Sequence, residues 1–144
     1  MSQNTIVMSN NEVLTDANYI QGVLLNPYSY IGLYQSSLNP DPSTPLSSFT
    51  AVECNFDTYG QIYIGGQWNP PTLVATGEAD FTLNGQTWLQ PLVVGNTIWG
   101  WFITDYAGNL ALSYELSSPI NFIPGGGNLL VNVTVQVFAR SVLP

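Results

Sequence analysis

The sequence predicts an all-β protein, a single antiparallel β-sandwich or small barrel with one short N-terminal helix and an extended N-terminal arm. Three observations lead there. Short runs rich in β-branched and aromatic residues recur between Gly, Pro and Asn-Gly breaks. One clean two-residue alternation closes the chain, and a three-to-four spacing of apolar residues occurs only near its start.

In chain order, residues 1–11 are polar, rich in Asn and Ser and without periodicity, and read as an arm. Such an arm extends to roughly 35 Å at about 3.3 Å per residue, enough to touch a neighbouring subunit. The rest, 12–144, reads as one domain. Thr15 is the expected cap of a short helix carrying Ala17, Ile20 and Leu24, stopped by Asn26 and Pro27. Residues 30–35 form the first strand. Pro40, Pro42 and Pro45 make 36–48 an exposed loop. Strands are expected at 50–56 and 59–64, the second ended by Gly65 and Gly66, with a break at Pro70 and Pro71. Asn84-Gly85 predicts a tight hairpin between strands 78–83 and 86–92. A second hairpin turns at Ala107, Gly108 and Asn109, joining 97–106 to 110–116. In its first strand Trp99, Trp101 and Ile103 are expected on one face and Ile98 and Phe102 on the other, which marks a central strand covered on both sides. Finally, Leu129, Val131, Val133, Val135 and Val137 alternate with Asn132, Thr134 and Gln136, so one face is core.

Composition narrows function. Only 7% of the 144 residues are charged, one of them basic (Arg140), none is His, and the formal net charge is −8. Nucleic-acid and polybasic membrane-surface binding require cations that are missing. Histidine-based catalysis and metal ligation are excluded outright. Neither a basic leader with an apolar stretch nor a run long enough to span a bilayer is present, which predicts synthesis in a cytoplasm without membrane association. Cys54 is the lone cysteine and reads as a buried, inert thiol. Polar surface comes instead from 46 Asn, Gln, Ser and Thr residues, a coat on which copies repel one another weakly.

Candidate chemistry is sparse. Glu78 and Asp80 lie two apart on a predicted strand, a spacing that suits paired-carboxylate hydrolysis or Ca²⁺ binding and equally a plain solvent face. No activated serine or phosphate-cradling glycine loop occurs. The protein is therefore expected to be no enzyme and to hold no cofactor. Trp68, beside Asn69 and Pro70, is expected to be exposed. With Tyr28, Tyr30 and Tyr34 it supports the alternative reading of a carbohydrate-binding module, against the reading of aromatics as core.

One longer pattern bears on function. The run Ser48-Phe49-Thr50-Ala51-Val52-Glu53-Cys54-Asn55-Phe56-Asp57-Thr58-Tyr59 is followed by Ile98-Trp99-Gly100-Trp101-Phe102-Ile103-Thr104-Asp105, with Gly108 and Leu110 behind it. Over residues 12–138 this resembles a loosely defined group of small virion proteins of tailed bacteriophages, with Thr58 where that group has glycine and Trp101 where it has tyrosine. The resemblance implies a capsid decoration or cement protein and carries over no catalytic residue. On that reading the partner is the major capsid protein, the site of action is the virion, and the subunit is a homo-oligomer, with a trimer favoured. A neck, tail or head-fibre position is the alternative. The contact residues expected from exposure and reach are Ser2, Gln3, Asn4, Thr5, Ile6 and Val7 of the arm, Asp41, Pro42 and Pro45 of the proline loop, and Trp68.

Overall fold

Two antiparallel sheets face each other across one core. The computed structural model describes residues 6–7, 9–24, 28–139 and 141–142. The chain runs β1 (Ile6–Val7), α1 (Asn10–Tyr19) with a π-helical turn Ile20–Leu24, β2 (Tyr30–Tyr34), α2 (Leu46–Thr50), β3 (Ile62–Tyr63), β4 (Thr72–Ala75), β5 (Glu78–Trp88), β6 (Asn96–Thr104), β7 (Leu110–Phe122), β8 (Leu129–Phe138) and β9 (Ser141–Val142). One sheet has the order β3-β2-β6-β7, the other β4-β5-β8, and β1 pairs with β9. This is the small all-β sandwich with a short N-terminal helix that the strand pattern predicts.

The core between the sheets takes Ile31 and Leu33 from β2, Ile98 and Ile103 from β6, Ala79, Phe81, Leu83 and Trp88 from β5, and Val133 from β8. Val13 and Ala17 of α1 join it. A second, smaller cluster lies on the opposite face of β2 and β6, where Tyr34, Phe49 and Phe102 pack with Leu46, Val52 and Trp99. The strand β6 is thus central and covered on both sides, as its apolar faces predict. The second hairpin and the closing alternation also form as expected: Val133 is buried, whereas Asn132, Thr134 and Gln136 are exposed.

Several local expectations are corrected. The helix starts earlier than the Thr15 cap: Ser9 is the cap, and its hydroxyl accepts the Glu12 N–H at 3.2 Å. Ser9-Asn10-Asn11-Glu12 has the serine-to-glutamate spacing of a capping box. Thr15 instead donates back to the Asn11 carbonyl. The arm is consequently shorter than 1–11, and Ile6 and Val7 pair with Val142 and Ser141. The stop at Asn26 and Pro27 lies outside the described residues.

No strand spans 50–56. Leu46, Phe49 and Val52 recur every three residues, so a helical turn buries Phe49 in the second cluster and packs the partly buried Leu46 and Val52 against it. Only Glu53 makes a bridge, to Tyr34. Strand 59–64 shrinks to Ile62–Tyr63. Asn84-Gly85 does not turn the chain, because β5 runs straight through it. A type I′ turn needs positive φ at both positions, and only Gly85, at 76°, has it. The two residues oppose Asn132 alone as a bulge, with the Gly85 N–H donating to the Asn132 side chain at 2.8 Å.

A second bulge regroups the tryptophans. The β6–β7 register shifts between Ile98 and Gly100, which places Ile98 with Trp101 and Ile103 on the main core and Trp99 with Phe102 on the other face. At Gly100 a Cβ would overlap the Tyr114 carbonyl oxygen and reach the Tyr34 hydroxyl, so only glycine lets these strands meet.

Candidate interaction surface

The most exposed run of apolar side chains among the described residues, Leu92-Val93-Val94, lies in the loop 89–95 that links β5 to β6, where Leu89 is also exposed and Pro91 is buried. Trp88 anchors its start, buried and donating its indole N–H to the Gly60 carbonyl at 2.8 Å. Gly95 closes its end, where a Cβ would overlap the Phe122 carbonyl oxygen. Between them the backbone is satisfied by side chains from elsewhere. The Asp57 carboxylate accepts the N–H groups of Leu92, Val93 and Val94 at 3.0–3.3 Å. Thr58 donates to the Leu89 carbonyl, and Asn128 accepts the Gln90 N–H. Gln90 in turn accepts the Gly127 N–H.

With its polar groups tied inward, the loop turns its side chains out. Val93 is 78% exposed, Leu92 73%, and Leu89 and Val94 more than half. Ile123 is also exposed and flanks the loop at Gly95. The segment that supplies Asp57 is itself clamped, since Asn96 accepts the N–H groups of Asn55 and Phe56 and donates to Gln35. Partial desolvation raises the Asp57 pKa, but the N–H groups of Val94, Val93 and Leu92 together outweigh that and lower it. The arrangement is an apolar prong whose backbone is held from within the fold, a form suited to contact. Covering each of its aliphatic side chains fully contributes about 1.5–3 kcal/mol before association costs.

Sequence reasoning missed this loop. The expected strand 86–92 runs into it, no reading covers Val93 and Val94, and the carboxylate that holds the segment as a loop comes from 35 residues before Leu92.

The residues expected at the interface are held by separate parts of the fold. Ser2, Gln3, Asn4 and Thr5 lie outside the described residues. Asp41, Pro42 and Pro45 are exposed, as expected of the proline loop. That loop is fastened to β7 by Glu115, whose carboxylate accepts the Leu38 and Asn39 N–H groups, and Asp41 caps its own turn through Ser43. Hydrogen bonds from the Ser43 side chain and backbone lower the Asp41 pKa. Trp68 is not exposed. It is 7% accessible, its ring meeting Phe81 edge-on at 5.3 Å, because the bridge to Leu83 turns it into the core.

Glu78 accepts a hydrogen bond from Gln136, and Asp80 is half-buried beside it on β5. Among the described residues no third Asp, Glu, Cys or His joins them. Cys54 is buried, and desolvation with the neighbouring Glu53 charge pushes its thiol up to about 12. Among the described residues no helix is long and apolar enough to cross a membrane.

No protein-family model, curated protein or solved structure matches this chain.

Proposed function

We propose that this chain is a non-enzymatic structural protein of a tailed-phage virion, a capsid decoration or cement subunit made in the host cytoplasm and bound to the major capsid protein. The observation that carries this reading is the apolar prong at 89–94, pre-ordered by Asp57 and presented by a molecule of very low charge density. The phage-like runs at 48–59 and 98–105 supply the virion assignment. The mechanism is mechanical. A ligand that binds the assembled shell and not its free parts stabilises the shell by mass action. A contact of roughly 1,600 Å² in total suffices, and a rigid loop loses little entropy on docking. With Trp68 and Tyr34 in the core, the sugar-stacking alternative keeps Tyr28 and Tyr30 as its exposed aromatics and is the less supported reading.

Co-sedimentation with assembled heads and with unassembled major capsid protein tests the proposal. The protein should pellet with heads only. Val93→Asp should weaken that binding by about tenfold or more while shifting stability by less than about 0.5 kcal/mol, as expected at an exposed site. Failure to bind heads, or equal binding by the variant, overturns it.

A further inference from the structure

The sandwich guards one side and leaves the other open. On one side its edge strands are β3, two residues long, and β4, four residues long with an irregular register, both poor templates for pairing. On the other side the edges are β7 and β8, thirteen and ten residues long. An apolar cleft of about 200 Å³ opens between them, floored by Trp101 stacked on Tyr114. The strand β7 carries protective devices: Pro119, the Glu115 carboxylate bound to the proline loop, and a bulge. β8 has none. It reads Leu-Leu-Val-Asn-Val-Thr-Val-Gln-Val-Phe, contains no charge, Pro or Gly, and pairs only with β5 among the described residues. Among the described residues no other strand pairs with its outer edge, which runs for roughly 30 Å.

We propose that β8 pairs antiparallel with β8 of a second copy, joining two three-stranded sheets into one six-stranded sheet across a two-fold axis. A second copy fits for three reasons. An open strand edge is complementary to another strand, and a two-fold gives every copy the same contact. Two molecules of charge −8 approach with least repulsion along an edge that carries no charge. The side-chain sequence is also self-complementary in one register. Core-facing residues must oppose core-facing residues, so an antiparallel self-pair has to be centred on a residue and not between two. Centred on Thr134, it sets Thr134 against its own copy, Asn132 against Gln136, and Leu130 against Phe138. Leu130 and Phe138 are the two large apolar side chains that β8 leaves more than half exposed, at 58% and 57%. Threonine–threonine pairs of this kind stabilise paired strands, while Asn132 and Gln136 keep their hydrogen bonds to Gly85 and Glu78. This inference does not depend on the virion reading: the pair forms in solution whether or not the protein binds heads.

Analytical ultracentrifugation of the full chain over a wide concentration range, with cysteine cross-linking, tests it. The expected result is a dimer whose dissociation constant rises by about tenfold or more in Thr134→Lys, where two ammonium groups face each other. Thr82→Lys, one strand inward on the same face, should leave the dimer intact. If Thr134→Lys fails to fold, Leu130→Ser with Phe138→Ser replaces it and should weaken the dimer likewise. Thr134→Cys should cross-link under copper–phenanthroline oxidation, since directly opposed Cα atoms lie about 4.5–5.5 Å apart, and Asn132→Cys should not. A monomer at every concentration, a trimer, a dimer indifferent to these substitutions, or equal cross-linking at 132 overturns the proposal.

Discussion

Trp68 and Tyr59 illustrate how a residue's role is decided by what surrounds it. Beside Asn69 and Pro70 a tryptophan reads as exposed, yet Trp68 fills core space against Phe81. Trp68→Ala should therefore cost about 3–5 kcal/mol in urea unfolding; a loss below about 1 kcal/mol would show that the site is not core. The Tyr59 hydroxyl donates to Glu53 and accepts the Leu33 N–H, and desolvation followed by the Glu53 hydrogen bond raises its pKa far above 10.0. Tyr34 is raised by desolvation and by Glu115, and Cys54 is raised from 9.0. All three hold their protons more tightly folded than unfolded. Their contribution is whole below about pH 9 and shrinks as the unfolded chain loses protons above it, by at most about 1.4 kcal/mol per pH unit per group. The urea midpoint should fall between about pH 8 and pH 11, and fall less in Tyr59→Phe. An unchanged midpoint would contradict the burial of these groups.

At the scale of elements, what was legible depended on how local the determining interaction is. The β8 alternation and the turn at Gly108 are written in adjacent residues, and both form as read. The Ser9 cap on the Glu12 N–H is equally local, yet Thr15, nearer the apolar spacing, draws the cap reading. Asn84-Gly85 misled because the same dipeptide serves a hairpin or a bulge, and the choice lies with the partner strand, where Asn132 takes the freed N–H. The helical period of Leu46, Phe49 and Val52 straddles the expected loop 36–48 and the expected strand 50–56, so neither reading contains it whole. Least legible was the candidate site itself, since nothing near Leu92 announces that Asp57 will bind its backbone. That dependence is testable. In Asp57→Ala, amide exchange at 92–94 should accelerate while exchange in β5 and β6 stays slow; unchanged protection at 92–94 would mean that the loop is ordered by other contacts.

For the molecule as a whole, low charge and exposed apolar surface point the same way. An isolated monomer with an uncharged ten-residue edge and an apolar loop is prone to association unless both are covered. The two surfaces have different requirements. The β8 edge calls for another strand, which a second copy provides, whereas the 89–94 prong calls for a concave apolar site on a partner. The central claim is that this prong is the surface that meets the capsid. Hydroxyl-radical footprinting of the protein, free and bound to assembled heads, tests it most directly. The account predicts that Leu92 and Val93 are labelled when free and protected when bound, with exposed Tyr28 labelled in both. Equal labelling of Leu92 and Val93 in the two states would contradict it.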